Sequence, residues 1–586
     1  MADVGAEAML GDLPRAESVI IGLDFGTTYS KVVFARSSLP DDLTTVGDWP
    51  KSRTDNSRLG STVVPTKVRY LANGEFEWGA QIPQDASHEA CRLFKLALEP
   101  EMLQKATDAI GEVQLPANVD KIITDYMTGL WGHVVEFICE EFSCNKLKNV
   151  HVVLTVPAIW SDLSKQRTVQ AFRNIPNLDK SVTVTLLSEP EAAAISALRD
   201  IDKSALEDDD TFVVIDAGGG TVDLITYTVT SLLPILEVHE ATAGTGDFCG
   251  SSLINLRFEE FLTARLQNEP TWSTQALVSA QDRFENEVKR VFSLASLAEN
   301  QIHNIPVAGL ARNTDAGIIS TNRFLLTSAD IHMFFERYIL RIIQLVREQI
   351  KMCNRPVRSI ALVGGFGMST YLRERIERAI SDDTSIQAPV EILQPPNAWL
   401  AVARGAVMKG ISQVMPEDYN IPTVKSRTAR KHYGFELGVP YNSLEHASLA
   451  SKRFWSAFSG LWYVRTMIWF IKTGDAVSED FPFRKSYRYT SPVGTKRPRS
   501  YSLSIYADET SPTAPIGRSS NVKLLCRLSA DLSSIPDEQL TKRLGADGRM
   551  HYYVEFDIEA VYHSATTQYT LIHKGQRYDS VTAEYV

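Results

Sequence analysis

Two stretches of the sequence each place an aspartate at the end of an apolar run and follow it with small residues. In the first, IGLDFGTTYSKVVFA (21–35), Asp24 precedes a Gly-Thr-Thr tip, and no helix-forming segment follows at once. Amides and hydroxyls at such a tip can hold a phosphate-sized anion, while the carboxylate faces the accompanying cation. The alternative is an ordinary hairpin in which Asp24 caps its own turn. This segment alone leaves both interpretations open.

The second stretch, TFVVIDAGGGTVDLITY (211–227), repeats the pattern with Asp216 and a glycine-rich tip. Apolar runs on both sides of each tip predict a strand, a tight turn and a returning strand. Two copies of one hairpin predict an internally duplicated α/β architecture. Each half would then offer one turn to opposite sides of a single anion.

A third glycine element, SIALVGGFGMSTYLRERIERAI (359–380), reads as a strand, a Gly364-Gly365 turn and a helix capped by Ser369. Glycines without Cβ atoms would let a flat group approach the backbone closely. The alternative is a turn that needs glycine only for its dihedral angles.

These elements, with VVLTVPAIWSDLSKQRT and LLSEPEAAA, resemble the nucleotide-binding domain of the heat-shock protein 70 chaperone family, within the actin-like ATPase superfamily. The motif LVGGFG is more similar to that of a divergent branch of the family, typified by heat-shock protein family A member 12 and its fungal relatives. The resemblance covers residues 18–410 in ordered motifs. It implies ATP or ADP and magnesium as cofactors.

The resemblance also implies roles for single residues. Asp24 and Asp216 match the aspartates that hold magnesium through water, and Glu189 matches the carboxylate that orients the attacking water. Lys95 is assigned to the γ-phosphate, although another register would put Cys91 at that position. The remaining implied catalytic residue is Thr221. For Glu189, the alternative role is a carboxylate that stabilises a helix N-terminus.

Nucleotide contacts are implied for two phosphate turns, a glycine-rich loop, one helix and the third glycine element. These residues are Gly26, Thr27, Thr28, Tyr29, Gly218, Gly219, Gly220, Gly244, Thr245, Gly246, Lys289, Arg290, Ser293, Gly364, Gly365 and Phe366. The alternative for Lys289 and Arg290 is the solvated side of an amphipathic helix. Asn286 stands where a glutamate is usual and Met368 where an arginine stacks on the base. We therefore expect weaker adenine binding.

Composition excludes several classes of protein. The chain has 586 residues, 44% of them hydrophobic, and a net charge of −11. This acidic balance argues against a nucleic-acid binder. The six cysteines are scattered, so reduced thiols are expected. The aromatic run 454–475 is predicted to be core rather than a membrane span. The basic stretch 483–500 is predicted to be a solvated loop, with nucleic-acid binding or nuclear import as the alternative.

The predicted organisation has five parts. Residues 1–18 are expected to be a disordered tail without a secretory signal, 19–210 nucleotide-binding lobe I, and 211–412 lobe II. A linker at 413–432 lacks the family's usual aliphatic run. Alternating segments in 433–586 predict a β-rich, substrate-binding-like domain, and the family's helical lid is expected to be absent.

The function predicted from these features is that of an ATP-binding, heat-shock-70-like protein. It would be a slow magnesium-dependent ATPase that acts as a chaperone-like switch. The alternatives are a nucleotide-sensing scaffold with little hydrolysis and a small-molecule kinase of the same superfamily. Expected partners are unfolded or extended polypeptides and a nucleotide-exchange factor or J-domain co-chaperone. The expected location is cytoplasmic, with a nuclear one as the alternative.

Overall fold

The structure, a computed structural model, describes most of the chain. The described ranges are 17–51, 61–83, 86–111, 113, 115–200, 206–386, 388–416, 419–478, 481–494, 499–536, 539–563, 565–578 and 581–585. Nearly all of the predicted N-terminal tail and the KRP group of the basic stretch lie outside these ranges.

Residues 17–200 are here called lobe I, and the part of this range that the structure describes forms nine strands and four α-helices. The strands are β1 Val19–Asp24, β2 Tyr29–Arg36, β3 Leu39–Thr45, β4 Val64–Pro65, β5 Lys67–Tyr70, β6 Phe76–Trp78, β7 Cys91–Arg92, β8 Val150–Val156 and β9 Thr183–Ser188. The helices are α1 Pro100–Ile110, α2 Val119–Glu141, α3 Asp162–Arg173 and α4 Glu189–Asp200. The main sheet has the order β3-β2-β1-β8-β9, with β4 beside β2.

Residues 206–416, here called lobe II, repeat this plan. The strands are β10 Thr211–Ala217, β11 Val222–Ser231, β12 Glu237–Glu240, β13 Thr245–Asp247, β14 Ile302–Pro306, β15 Ile318–Ser320, β16 Arg323–Thr327, β17 Val357–Val363 and β18 Glu391–Leu393. The helices are α5 Ser252–Leu266, α6 Thr274–Arg283, α7 Lys289–Val291, α8 Leu294–Ala298, α9 Ser328–Met352, α10 Thr370–Ser381 and α11 Ala401–Val414, with a π-helical turn at Phe284–Val288.

The two main sheets share one topology. β1 is antiparallel to β2 and parallel to β8, and β10 is antiparallel to β11 and parallel to β17. Read outward, β2-β1-β8-β9 in lobe I corresponds to β11-β10-β17-β18 in lobe II. The predicted internal duplication is therefore confirmed.

Helix α11 joins the two lobes through small residues. An added Cβ at Gly405 would lie 1.7 Å from the Ala192 carbonyl oxygen in α4, and one at Gly410 would lie 2.5 Å from Ile20 Cγ2 in β1. The same hydrophobic cluster includes Val214 of β10. Helix α11 packs on the lobe I sheet and on α4, and α4 in turn contacts β10 and β17 of lobe II. The two helices together therefore hold the sheets relative to each other.

The segment predicted as a linker is structured. Its first residues complete α11, and β19 (Thr423–Thr428) pairs in parallel with β12, adding a strand to the lobe II sheet. In place of an aliphatic run, Arg427 donates two hydrogen bonds, of 2.9 and 2.7 Å, to the buried Glu191 carboxylate in α4. Val424 of this strand and the preceding Ile421 also pack in the hydrophobic cluster between the lobes. The sequence analysis missed this strand because part of its attachment is an ion pair with the distant Glu191.

The C-terminal part is a β-sandwich, as predicted. Its strands are β20 His432–Pro440, β21 Phe454–Ser456, β22 Leu461–Ile471, β23 Ala476–Val477, β24 Phe483–Pro492, β25 Ser500–Asp508, β26 Lys523–Asp531, β27 Thr541–Leu544, β28 Met550–Tyr562, β29 Thr567–His573, β30 Gln576–Tyr578 and β31 Val581–Tyr585. One sheet has the order β21-β22-β20-β25-β26-β31 and the other β24-β28-β29-β30, with β27 beside β28; the short β23 pairs with β19.

Two predictions for this domain need correction. The aromatic run was expected in the core, and Val464, Met467 and Ile471 are buried there. However, Trp455 and Trp462 are 55% and 47% exposed and form an edge-to-face pair on β21 and β22. The basic stretch was expected to be a loop, but its first ten residues form β24, where Arg484 pairs with Glu559 of β28.

Within the described residues, no helix combines the length and apolar character needed to cross a membrane. All six cysteines are free thiols, as expected, and Cys91, Cys249 and Cys526 are buried.

Candidate functional site

The two predicted hairpins carry their aspartates at matching positions. In β1–β2, Asp24 lies opposite Lys31, and in β10–β11, Asp216 lies opposite Asp223. Asp24 is the last residue of the fully buried β1, and Asp216 is the last but one of the fully buried β10. A carboxylate at the end of such a strand emerges at the sheet edge, where it can meet groups from elsewhere in the chain.

The tips of the two hairpins touch each other across the lobes. An added Cβ at Gly219 would lie 1.9 Å from Thr28 Oγ1, and one at Gly220 would lie 2.8 Å from Thr27 Cγ2. No side chain fits at either glycine without moving the opposite tip. The glycines therefore allow the lobes to meet at this point.

Neighbouring backbone holds both tips in place. Thr66 donates a 2.8 Å hydrogen bond from Oγ1 to the Gly26 carbonyl, and its amide donates to Thr28. In lobe II, the amides of Gly250 and Ser252 donate to the carbonyls of Gly220 and Gly219, each at 2.9 Å. The carbonyls of the glycine tip are thus engaged by the start of α5.

A buried ion pair lies beside the tips. Lys95 Nζ donates a 2.7 Å hydrogen bond to Glu189 Oε1, and the Lys95 side chain is only 1% exposed. Its ammonium also lies 5.4 Å from the Phe25 ring centroid and 5.1 Å from that of Trp160. Cys91, the alternative at this position, instead lies in the lobe I core on β7. The structure thus brings Lys95, not Cys91, to Glu189.

Lys31 is a second cation at the site, and the sequence analysis missed it. Its Nζ donates a 2.7 Å hydrogen bond to Asp24 Oδ2. Burial lowers the pKa of Lys31, but the charges of Asp24, Asp216 and Glu189 raise it overall. The hairpin register was the available signal, because it places residue 31 directly opposite residue 24.

The loop predicted to close on the phosphates is a strand here. β13 pairs with β11, and Thr245 Oγ1 donates to Gln349 of α9 at 3.0 Å. Gly246 lies beside Asp223, where an added Cβ would be 3.0 Å from Oδ1, and Gly244 lies beside Arg430. Of these three residues, only Gly246 lies beside a carboxylate of the site, that of Asp223.

The third glycine element meets the site through one residue. Gly364 has φ +84°, and an added Cβ there would lie 2.5 Å from Asp216 Oδ1. Gly365 has open space around it, and the Phe366 ring is buried in the lobe II core. Because its ring is buried, Phe366 could contact a ligand only through its backbone.

The helix predicted to contact adenosine is broken by the π-helical turn. Lys289 follows that turn, and its ammonium bonds to Glu285 and, at 2.9 Å, to Asn255. Ser293 caps α8 by accepting from the Ser296 amide at 3.1 Å. Arg290 is exposed and lies close enough to Tyr29 of lobe I to influence its pKa. Lys289 and Ser293 therefore have intramolecular partners, and Arg290 donates a 3.4 Å hydrogen bond to Asn286.

Comparison with known proteins agrees with this geometry. Residues 133–415 match the family model described as Hsp70 protein. The matched residues thus form an Hsp70-family domain. Its membership of the divergent branch stays a prediction.

Curated relatives in this family are chaperones. The chain is 26% identical over 419 residues to the chaperone protein HscA homolog of Methylobacillus flagellatus, covering 68% of this chain and 58% of the relative. It is 29% identical over 269 residues to that of Bordetella petrii, covering 44% and 39%, and 25% identical over 438 residues to that of Neisseria meningitidis, covering 69% and 60%. The matches thus span 39–60% of these relatives' length.

The Hsp70-family site of this chain carries an excess of buried negative charge. Burial, Glu189 and Asp24 raise the pKa of Asp216 well above its usual value. Burial and Glu189 raise the pKa of Asp223 to about 7. Burial raises the pKa of Glu189 as well, although Lys95 opposes that shift. Burial is the largest cause of all three shifts, and repulsion from neighbouring acids adds to each of them.

The residues present fit a hydrated cation. Asp223 Oδ1 is buried without a hydrogen-bond partner in the structure. Across the described chain, no cluster of three or more His, Cys, Asp or Glu is arranged to ligate a metal directly. Carboxylates that contact a cation through its water shell suit magnesium, which keeps most of its waters.

We predict that Asp223→Asn stabilises the protein at about pH 8. The contribution of a raised acid pKa to folding is fully present below the unfolded value of 3.8 and is lost progressively as the pH rises to about 7. Removing the charge should therefore raise the free energy of unfolding by up to about 4 kcal/mol at pH 8, with no gain near pH 4. Urea unfolding without nucleotide or magnesium, at both pH values, measures this difference.

Asp208→Asn is the matched control, because Asp208 is an exposed acid in the loop before β10. A gain of equal size at both pH values, or an equal gain in the control, would contradict the prediction.

Proposed function

We propose that the chain binds ATP with magnesium between the two hairpin tips and hydrolyses it slowly, as a chaperone-like conformational switch in the cytoplasm. One observation carries the proposal: Gly219 and Gly220 of lobe II interlock with Thr28 and Thr27 of lobe I beside the buried Lys95–Glu189 pair. Family membership supports nucleotide binding in general, and the geometry supports this location for it.

In the proposed mechanism, the chain mainly positions groups and neutralises charge. The turn amides and the hydroxyls of Thr27, Thr28 and Thr221 would contact the phosphates. Asp24 and Asp216 would hold magnesium through water, and the bound metal would neutralise phosphate charge. Glu189 would accept a hydrogen bond from the attacking water.

Lys95 would serve two purposes in this mechanism. It fixes the Glu189 carboxylate through the 2.7 Å hydrogen bond, so that the acid keeps one orientation. It also places a positive charge in a buried site, where that charge is weakly screened. Both effects favour a water held in line with the phosphate.

The docked strand β19 offers a route from the nucleotide site to the β-sandwich. Arg427 binds Glu191, which lies in α4 two residues after Glu189. Arg430, further along the same segment, donates to the Ala158 carbonyl in the turn before α3. We propose that a shift of α4 between nucleotide states changes how firmly this strand is held.

The scaffold and the kinase remain the competing proposals. The partners of Lys289 and the exposed Met368 favour weak adenine binding, as a scaffold with little turnover would show. For the kinase, the shared hairpins are the supporting feature. ATP affinity and the fate of the γ-phosphate separate all three functions.

We predict that Glu189→Gln retains ATP binding but lowers single-turnover hydrolysis at least 100-fold, because the amide positions water poorly. Asp216→Asn should weaken magnesium-dependent ATP binding as well as hydrolysis. Calorimetry and single-turnover phosphate release measure both quantities, with Glu101→Gln as an exposed-acid control on α1.

Each outcome selects one proposal. Binding with negligible turnover in the unchanged protein would favour the scaffold, and phosphate transferred to an added sugar or polyol would favour the kinase. Absence of any ATP binding would overturn the nucleotide site itself.

We predict that Lys31→Met weakens ATP binding in EDTA about tenfold, because the cluster loses one of its cations. With excess magnesium the loss should shrink, because Asp24 is then free to hold the hydrated metal. Calorimetric titrations with and without magnesium test this, with Lys180→Met as an exposed control on lobe I. Equal ATP affinity of Lys31→Met and the unchanged protein in EDTA would refute the role given to Lys31.

An extended polypeptide is the partner that the β-sandwich fits best. β21 is an edge strand, and an edge can pair with an added strand. Phe454, Trp455, Leu461 and Trp462 are between 41% and 55% exposed at this edge. Such a cluster of exposed apolar side chains is typical of an interaction site. A nucleotide-exchange factor and a J-domain co-chaperone remain proposed partners.

We predict that Trp462→Ser weakens binding of a fluorescent, apolar, extended heptapeptide at least tenfold, because an exposed aromatic anchor is lost. Leu544→Ser is the control, since Leu544 is 68% exposed on β27 of the other sheet. Fluorescence anisotropy measures both affinities. Equal losses in the two variants, or none in either, would argue against a site at the β21 edge.

A further inference from the structure

A cavity of about 480 Å³ lies where the end of the β-sandwich faces α3 of lobe I. Its described walls come from the start of α3, from residues 470–478 and 481–483, and from β20, β26, β28, β29 and β31. This volume is in the range of small-molecule sites. The cavity includes neither the hairpin tips nor the exposed β21 edge, so the proposed function leaves it unexplained.

Aromatic rings dominate the walls. They include Tyr433, Phe470, Phe483, Tyr562, Tyr569 and Tyr585. Phe470 and Phe483 are stacked at 4.6 Å, and the Tyr433 and Tyr562 hydroxyls lie 3.4 Å apart. The faces of such rings carry partial negative charge and attract cations.

The charged residues of the cavity are acidic. Asp162, in the first turn of α3, and Asp475, in the turn before β23, both line it, whereas no Lys, Arg or His is among its described lining residues. Burial and then Asp162 raise the pKa values of Tyr562 and Tyr585, so these rings stay neutral near pH 7. The negative charge of the cavity therefore resides on the aspartates.

The neighbouring cavity has the opposite character. It shares Asp162, Tyr433 and Tyr562 with the aromatic cavity but is lined by Lys165, Arg430 and other cations. Burial lowers the pKa of Lys165 to about 8, and repulsion from Arg430 adds to this, although Asp162 opposes it. The two tyrosines thus stand between a basic compartment and an acidic one.

We propose that the aromatic cavity binds a small organic cation, such as a quaternary or substituted ammonium group carrying an apolar substituent. The rings would surround the cationic head, and Asp162 would supply the opposite charge. Because α3 and the β-sandwich both contribute walls, a bound cation would contact both at once. Such a ligand would favour the arrangement in which the sandwich lies against lobe I.

The test uses the full-length protein and two probes of equal shape. Phenyltrimethylammonium carries the charge, and tert-butylbenzene is its neutral isostere. Ligand-observed NMR titration should show saturable binding of the cation, at least tenfold tighter than that of the isostere. This comparison needs no variant, so it stands even if a substitution impairs folding.

Two variants then locate the site. Asp162→Asn should weaken the cation at least tenfold and leave the isostere unchanged, because only charge is removed. Asp179→Asn is the matched control, an acid of lobe I outside the cavity that pairs with Lys146. Tyr569→Leu should weaken both probes, because a ring of the wall is lost.

Three results would overturn the proposal. The first is no saturable binding of phenyltrimethylammonium. The second is equal affinity for the two probes, which would mean a purely apolar cavity. The third is equal weakening by Asp162→Asn and Asp179→Asn, which would mean that the cation responds to net charge and not to this cavity.

Discussion

The contact between two glycines and two threonines sets the geometry of the whole site. Gly219 and Gly220 lie so close to Thr28 and Thr27 that a Cβ atom on either glycine would clash with the threonine. Everything placed around a phosphate in this chain depends on that approach, because the tips belong to separate lobes. Helices α11 and α4 support this approach, since Gly405 lets α11 pack closely on α4, which in turn contacts β10 of lobe II. Close backbone contacts at the hairpin tips and at α11 thus bring the two sheets together around one cleft.

The charges inside the cleft are unbalanced, and this imbalance is informative. Four buried acids, Asp24, Glu189, Asp216 and Asp223, share two lysines. Isolated buried charge is unfavourable, so an assembly of this kind persists where a cation or ligand completes it. The raised acid pKa values express the same cost. The site is therefore arranged for a charged ligand at some expense of stability.

The sequence predicted the parts whose signal is local. Strand alternation and glycine tips revealed both hairpins, and motif order revealed the family. Lys31 was missed because its role depends on a cross-strand register, and β19 because an ion pair with distant Glu191 holds it. The exposed tryptophans of the aromatic run were missed because the residue types do not tell which face of an edge strand meets solvent. Long-range pairing is what the sequence leaves undetermined.

The bond between Arg427 and Glu191 gives the junction between the domains a particular character. An aliphatic segment peels away gradually, each methyl group being rehydrated in turn. Two opposite charges fastened by paired hydrogen bonds separate in a single event, because half-broken geometry leaves both ions poorly solvated. Dissolved salt reaches such an enclosed pair weakly. The junction of this chain would therefore switch between a bound and a released state rather than loosen by degrees.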